Sequence, residues 1–354
     1  MPMLSATHPK WQDSLNSDRK ARGSDEVSRR THLSVLTALC AASLLAAGCG
    51  ATTDRPQGQN GGGGGGGGAC TPGEVSNVPD PKPLAVAAPS DSALAGMVPA
   101  KVKADGKIII ATDASYAPNE YTIEGSDEII GMDVDMGKAI GKVLGVEVQF
   151  VNASFDGILA GLNAGRYELG MSSFTDTKER EQTVDFVTYL EAGTSTMVRK
   201  CNPKSIKSIT DLCGKAVGAE NGTTQLDQLT KPEVEGSVVK ACSAAGKEPP
   251  KGQGFPKQTD VNAALQANRI DAYLADTPVV NYAVKKTGNA FEKVGKDTDA
   301  APYGIGIPKA AGTMKEAVQG AVQKLISDGG YQDILDNWGV TGGIEESKIN
   351  GAIY

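Results

Sequence analysis

Short apolar runs alternate with amphipathic stretches from residue 107 onward. The run KIIIATD (107–113) has the length of a buried strand, and VEVQFV (146–151) and YELGMSS (167–173) are further strand candidates. Between them, GMDVDMGKAIGKVLG (131–145) repeats apolar residues at helical spacing after an acidic start, and FDGILAGLNAG (155–165) is a shorter helix that ends at a glycine. The order strand, helix, strand, helix, strand predicts a parallel sheet covered by helices.

The same alternation returns after residue 200. Predicted strands there are KAVGAEN and IDAYLAD, and predicted helices are GTTQLDQL, QTDVNAALQANR and TPVVNYAVKKTG. A further apolar run, APYGIGIPK, precedes two helices at about 313–328 and 330–338. We therefore expect two α/β lobes, of which the first is discontinuous. It comprises 106–197 and 303–354, and the second lobe comprises 198–302.

The first 48 residues have the pattern of an export signal. Arg29 and Arg30 precede an apolar run that is too short for an ordinary membrane-spanning helix. The ending LLAAGC resembles a bacterial lipobox, which would make Cys49 the lipidated first residue of a protein anchored on the extracytoplasmic face of the cell membrane. The alternatives are an ordinary signal peptide cut near Ala47 or an uncleaved anchor. SRRTHLS also resembles a twin-arginine signal, so both export routes stay open.

A low-complexity segment follows the signal. Residues 49–105 include eight consecutive glycines at 61–68. A segment of this composition buries too little apolar surface to fold, so we expect a disordered tether. As a flexible coil of about 50 residues, it would span roughly 40 Å on average. A flexible tether of this length suits a protein that delivers a ligand to a membrane partner better than one with a fixed structural role.

Charge and histidine content exclude several classes of function. The net charge is −7 and no block rich in lysine or arginine follows the N-terminus, which argues against a nucleic-acid partner. Both histidines, His8 and His32, precede the predicted cleavage site. The mature chain would then contain no histidine, which excludes Ser-His-Asp and Cys-His catalysis and histidine-based metal sites. We expect no cofactor and no metal.

Four cysteines remain after Cys49, an even number in an exported protein. Cys213 and Cys242 fall in one predicted lobe and form the preferred disulfide. Cys70 and Cys201 would be the complementary pair, although the spacing does not fix the connectivity and some of these thiols could be free.

Six stretches, in this order, resemble the bacterial extracellular solute-binding proteins of family 3: IATDASYAP, GMDVDMGKAIGKVLGVEVQFV, FDGILAGLNAGRYELGMSSFTDTKERE, VGAENGTTQ, RIDAYLADTPVV and APYGIGIPK. The family comprises the polar amino-acid receptors of ABC importers. The resemblance runs from about Lys107 to Trp338. It implies a type II periplasmic-binding-protein fold, in which two hinge-linked α/β lobes close on a ligand in the cleft between them. We expect a monomer that presents a free amino acid to ABC permease subunits.

A free amino acid is a zwitterion, and burying it requires a partner for each charge. By family position, Arg180 is the planar donor that holds the carboxylate. The resemblance implies further donors on the loop after a strand and at the start of the GTTQ helix: Ser173, Thr175, Thr223 and Thr224. Taken alone, Arg180 within KERE could equally be a solvated surface charge.

The ammonium group of the ligand needs an acceptor, and Asp276 at the end of DAYLAD matches the acidic residue of the family at this position. Tyr116 and Phe155 match the positions whose rings sandwich the ligand side chain, and Asp113 matches a position beside the side-chain pocket. Ser172 is a further acceptor for the ammonium group. Taken alone, Asp276 could cap the following helix, and either ring could be a core residue.

A second hypothesis is an enzyme, because some dehydratases of aromatic-acid precursors resemble this family. A dehydratase of that kind needs a general acid, for which Glu120 or Glu220 could serve, although each has a simpler interpretation as an exposed loop carboxylate. Asn119 stands where much of the family has phenylalanine, which leaves the specificity for the ligand side chain undecided. We expect binding without catalysis, with glutamine or a basic amino acid favoured over an apolar one.

Overall fold

The computed structural model describes residues 80–123, 125–288 and 290–354. The predicted signal peptide, the lipidation site Cys49, the glycine run and Cys70 all precede residue 80 and lie outside the described residues. Within the described ranges, no helix is long and apolar enough to cross a membrane.

The described residues form eleven strands and eleven α-helices. The strands are β1 Lys107–Thr112, β2 Ser115–Tyr116, β3 Glu120–Thr122, β4 Ile129–Ile130, β5 Glu147–Asn152, β6 Leu169–Gly170, β7 Val184–Arg199, β8 Ala216–Glu220, β9 Lys251–Phe255, β10 Ala272–Asp276 and β11 Phe291–Pro308. The helices are α1 Ser92–Met97, α2 Ala100–Asp105, α3 Met132–Leu144, α4 Phe155–Asn163, α5 Lys178–Glu181, α6 Thr224–Thr230, α7 Val238–Ala244, α8 Gln258–Gln266, α9 Thr277–Lys286, α10 Met314–Asp328 and α11 Gly330–Trp338.

One eight-stranded sheet organises the chain, in the order β5-β1-β6-β11-β7-β10-β8-β9. Strands β5, β1 and β6 are parallel to one another, and so are β10, β8 and β9. Between these parallel groups, the long strands β7 and β11 pair antiparallel with each other. The sheet therefore has two parallel halves joined by two long strands that run through both.

Both halves are covered by helices on their two faces. In β1, Ile110 belongs to the core beneath α3 and α10, whereas its neighbour Ala111 belongs to the core beneath α4. In β10, Tyr273 packs with residues of α8 and α9, and Leu274 packs with residues of α6 and α7. Successive side chains of a strand point to opposite faces, so each half is a three-layer α/β unit with its own buried residues.

Most of the predicted helices and strands are confirmed within a few residues, but the two long strands exceed what the apolar pattern predicts. Strand β7 is buried on both faces over its first seven residues, so its sequence does not alternate. The first part of β11, FEKVGKD, carries four charged residues that obscure a strand. Pairing with β7, and not local propensity, makes this part extended.

The prediction of a disordered tether through residue 105 is wrong for its last part. Residues 92–105 form α1 and α2, and the side chain of Asp91 caps α1 by accepting from the N–H groups of Ala93 and Leu94 at 2.9 and 3.1 Å. Val98 and Val102 are buried in the core of the first half. Each of these helices has only six residues, which is too short to show a helical period, and their order comes from docking onto the first half.

The predicted disulfide between Cys213 and Cys242 is present, with a Cα–Cα distance of 5.6 Å. It ties α7 to the segment that precedes β8. The complementary pair, Cys70 and Cys201, stays a prediction because Cys70 lies before the described residues.

Candidate ligand-binding site

A small cavity lies between the two halves of the sheet, next to the carboxyl ends of the parallel strands. Asp113 directly follows β1, Glu220 ends β8 and Asp276 ends β10. Ligands of open α/β sheets bind at such strand ends. All ten predicted ligand-binding residues line this cavity. Two others join them, Glu220, which was predicted only as a candidate general acid, and Gln225, which was not predicted. The ten are Asp113, Tyr116, Phe155, Ser172, Ser173, Thr175, Arg180, Thr223, Thr224 and Asp276.

Arg180 lines the cavity and forms hydrogen bonds to both halves. Its Nη1 donates to the backbone oxygen of Thr175 at 2.7 Å in the first half, and its Nη2 donates to that of Gly222 at 2.9 Å in the second. The guanidinium lies 5.7 and 5.6 Å from the ring centres of Phe155 and Phe174, which stack on each other. These contacts hold the plane of the guanidinium in place beside the cavity. A freely solvated surface charge would make none of them.

Asp276 occupies the N-cap position of α9 but does not cap the helix with its side chain. Its Oδ2 accepts from the hydroxyl of Tyr116 at 2.8 Å, and its Oδ1 accepts from Nε2 of Gln225 at 2.8 Å. Burial raises the pKa of this carboxyl to about 6. Asp276 is therefore largely ionised at neutral pH and faces the cavity from the side of the second half.

The side chains of Ser172 and Ser173 form hydrogen bonds to the buried carboxyl of Glu120. The hydroxyl of Ser172 donates to Oε1 of Glu120 at 3.2 Å, and the hydroxyl of Ser173 donates to Oε2 of the same group at 3.2 Å. The backbone N–H of Ser173 also donates to Asp133 at 3.1 Å. Both side chains line the cavity, but their hydroxyl protons are already committed to Glu120.

The three predicted threonines, Thr175, Thr223 and Thr224, differ in the partners that their hydroxyls already have. The hydroxyl of Thr223 caps α6, where it accepts from the N–H of Leu226 at 3.2 Å, and it donates to the backbone oxygen of Glu220 at 2.7 Å. The hydroxyls of Thr175 and Thr224 face each other across the cavity at 3.4 Å. The hydroxyl of Thr224 also donates to Oε1 of Gln225 at 3.3 Å, so of the predicted hydroxyl donors Thr175 is the one that a ligand can recruit most readily.

The interpretation of Glu120 and Glu220 as exposed loop carboxylates is wrong. Glu120 has no exposed surface and Glu220 is 2 % exposed. Burial and the neighbouring Asp133 raise the pKa of Glu120 well above its usual value. Burial, with the carboxylate of Asp113 next, raises the pKa of Glu220 to about 9. Glu120 begins β3 and contacts the loop that carries Ser172 and Ser173, and Glu220 ends β8 beside Asp113 of the other half. The pattern of apolar residues along the sequence does not reveal such contacts.

Asn119 is fully buried and belongs to the network behind the cavity. Its Nδ2 donates to the hydroxyl of Ser173 at 2.9 Å, so it makes this wall polar, as expected for an amide in place of an aromatic ring. It does not line the cavity itself. Within the described ranges, no cluster of acidic, cysteine or histidine side chains could hold a metal ion.

The sequence matches the family model of the bacterial extracellular solute-binding proteins, family 3, over residues 108–341. The chain belongs to this family. The solute-binding protein is 29% identical to the arginine-binding protein of Corynebacterium glutamicum, over 77% of this chain and 84% of that protein.

Solved structures agree with this membership. The solute-binding protein is similar to an ancestral arginine-binding protein bound to arginine, with a TM-score of 0.58 and 33% identity over 66% of this chain and 98% of that one. It is also similar to an ancestral amino-acid-binding protein that is described as a precursor of cyclohexadienyl dehydratase, with a TM-score of 0.57 and 30% identity over 67% of this chain and 97% of that one. The predicted two-lobed type II periplasmic-binding-protein fold is confirmed.

Proposed function

We propose that this solute-binding protein binds a polar L-α-amino acid in the cavity between its lobes and delivers it to the permease of an ABC importer. One observation carries the proposal: a guanidinium, Arg180, and a carboxylate, Asp276, line the same buried cavity. A zwitterion that leaves water needs one partner of each sign. The ligand class is supported by relatives that are themselves named for the amino acids they bind.

Each of the ten predicted lining residues has its own part in binding the ligand. Arg180 takes the α-carboxylate, with the hydroxyls of Thr175 and Thr224 as further donors. Asp276 takes the α-ammonium group, which replaces one of its present partners. The rings of Tyr116 and Phe155 hold the stem of the ligand side chain, and Asp113 lies beside its tip. Ser172, Ser173 and Thr223 shape the wall, because their hydroxyls are already engaged.

The architecture around the cavity suits a receptor that opens and closes. Lobe 1 comprises 106–197 and 303–354, lobe 2 comprises 198–302, and the long strands β7 and β11 connect them. Flexing of these two strands would separate Arg180 from Gly222 and Tyr116 from Asp276, which opens the cavity. The protein works as a monomer, tethered by a lipid on Cys49 at the extracytoplasmic face of the membrane.

Catalysis is not part of the proposal. One observation favours the alternative, a dehydratase-like lyase: Glu220 lines the cavity with a raised pKa, as a general acid would. A receptor accounts for the same cavity more fully, because Arg180 and Asp276 together match both charges of an amino acid.

A thermal-shift screen of the twenty L-amino acids, followed by calorimetry, tests the proposal. We expect at least one polar amino acid to stabilise the protein and to bind with 1:1 stoichiometry. The variant Asp276→Asn should weaken that ligand by about 30-fold or more, since the ammonium loses its charged partner, while the unliganded protein stays folded. If none of the twenty binds and the protein dehydrates a cyclohexadienyl substrate, the enzyme hypothesis replaces the receptor.

A further inference from the structure

Ser173 has an unusual backbone conformation for a residue of the cavity wall. Of the twelve residues that line the cavity, only Ser173 has a positive φ, of 52°. Among L-amino acids, only asparagine and aspartate adopt this left-handed conformation with any ease. A costly backbone conformation persists only where the surrounding contacts hold it, and such residues concentrate at functional sites. The contacts of Ser173 therefore indicate what keeps this part of the wall in shape.

Three side chains behind the cavity form hydrogen bonds to Ser173. The carboxylate of Asp133 accepts from its backbone N–H at 3.1 Å. The hydroxyl of Ser173 donates to Oε2 of Glu120 at 3.2 Å and accepts from Nδ2 of Asn119 at 2.9 Å. A hydroxyl has one proton and two lone pairs, so it makes both bonds at once. The left-handed conformation is thus held through the backbone and through the side chain.

Asn119 is the member of this network whose amide is hardest to explain by stability alone. Its backbone is fixed, because its N–H donates to the oxygen of Tyr116 at 3.0 Å and its oxygen accepts from the N–H of Asp133 at 2.9 Å. Its Oδ1, however, is buried without a hydrogen-bond partner among the described residues. A buried acceptor without a partner destabilises the fold, and an apolar side chain of the same branching would avoid that cost. The bond from Nδ2 to Ser173 is what an apolar side chain could not provide.

Resting on the proposed function, we propose that Asn119 is a positioning residue of the amino-acid site. Asn119 does not line the cavity, so it acts through Ser173 and not on the ligand itself. Its hydrogen bond offsets the cost of the left-handed conformation and keeps the backbone at Ser173 in the shape that the ligand meets. The hydroxyl of Ser173 serves to receive this bond, and it does not bind the ligand.

Ser173→Ala and Ser173→Gly separate this role from direct contact with the ligand, because both variants remove the hydroxyl. Alanine keeps a Cβ atom that disfavours a positive φ, whereas glycine adopts a positive φ freely. A loop that leaves the competent conformation binds more weakly in proportion to the time it spends elsewhere. We therefore expect Ser173→Gly to bind the best amino acid of the screen at least about fivefold more tightly than Ser173→Ala, as measured by calorimetry.

Asn119→Leu tests the positioning residue itself, since leucine has the branching of asparagine but no amide. It should weaken binding about fivefold when introduced alone, and less than about twofold in the Ser173→Gly background, where the bond is not needed. Damage to the fold alone would weaken binding equally in both backgrounds. Asn119→Ala removes the same amide without adding bulk and should repeat the result. Asn163→Leu is the matched control, because Asn163 is an exposed asparagine of the same lobe, and it should bind as the unmodified protein does.

The result that overturns this role differs from the one that overturns the proposed function. Equal affinities of Ser173→Ala and Ser173→Gly refute the positioning role and leave the amino-acid receptor standing. The same holds if Asn119→Leu and Asn119→Ala bind as tightly as the unmodified protein, or lose as much affinity in the Ser173→Gly background as alone. Failure of the whole panel of L-amino acids to bind removes the proposed function and the role of Asn119 with it.

Discussion

Removing the guanidinium of Arg180 is the perturbation with the largest expected effect on binding. In the structure, this side chain donates to backbone oxygens of both lobes, at 2.7 Å to Thr175 and 2.9 Å to Gly222. Phe155 and Phe174 flank it at under 6 Å. Arg180→Ala would leave the carboxylate of a bound amino acid without a charged partner in a closed cavity.

The magnitude follows from the cost of an unpaired buried charge. Truncating one partner of such a pair typically costs about 2–5 kcal/mol. That corresponds to a dissociation constant about 30-fold to several thousand-fold higher. Arg180→Lys keeps the charge but loses the planar two-pronged geometry, so its loss should be smaller, on the order of tenfold.

Calorimetry with the best amino acid of the screen measures these losses. Arg166→Ala is the matched control, because Arg166 is an exposed arginine of the same lobe that stacks on Tyr167 away from the cavity. Its affinity should equal that of the unmodified protein. If Arg180→Ala binds within about threefold of the unmodified protein, less than 1 kcal/mol, Arg180 does not hold the carboxylate and the assignment fails.

Three further predictions concern closure and stability. Gly222→Ala should weaken ligand binding about tenfold or more, because the new methyl group would lie 2.9 Å from Cβ of Asp156 in the other lobe and disfavour the closed form. Gly214 has a similar positive φ but open space around it, so Gly214→Ala should leave ligand binding unchanged. Replacing Cys213 and Cys242 by serine should lower the free energy of unfolding by about 3–4 kcal/mol, measured by urea denaturation, because the bridge closes a loop of 29 residues; no change in the midpoint would argue against it. The unliganded protein should melt at a higher temperature at pH 5 than at pH 8. Burial raises the pKa of Asp176 to about 7 and that of Asp133 to about 6, so the folded state binds protons that the unfolded state releases, and stability falls as pH rises from about 4 to about 7. Asp176→Asn should flatten this dependence, and a higher melting temperature at pH 8 would contradict it.

Much of the site could be predicted from the sequence because its residues follow predictable strands. Asp113, Ser172 and Asp276 each lie at or just after the end of a strand that the apolar pattern indicates. Carboxyl ends of parallel strands share one edge of a sheet, so the fold brings these residues together. The resemblance to family 3 then supplied the expected roles, and all ten residues line one cavity.

The environment of each side chain was harder to predict, because it depends on contacts between distant segments. Glu220 is buried only because lobe 1 covers it, and Glu120 only because Ser172 and Ser173 fold over it. Gln225 stands in the GTTQ motif, yet its bond to Asp276 appears only when α6 and β10 are placed side by side. No local pattern encodes such contacts.

The long strands and the two short N-terminal helices were missed for a related reason. The first part of β11 is polar and is extended because β7 pairs with it. Helices α1 and α2 are each only six residues long, and their order comes from docking of Val98 and Val102 into the core of lobe 1. In both cases tertiary contacts outweigh local propensity.

The central claim is that Arg180 and Asp276 clamp the two charged groups of an α-amino acid. The most direct test titrates the purified protein with its best L-amino acid and with two analogues, one without the α-carboxylate and one without the α-amino group. We expect the amino acid to bind with a dissociation constant below about 1 mM and each analogue to bind at least about 30-fold more weakly. An analogue that binds as tightly as the amino acid would contradict it.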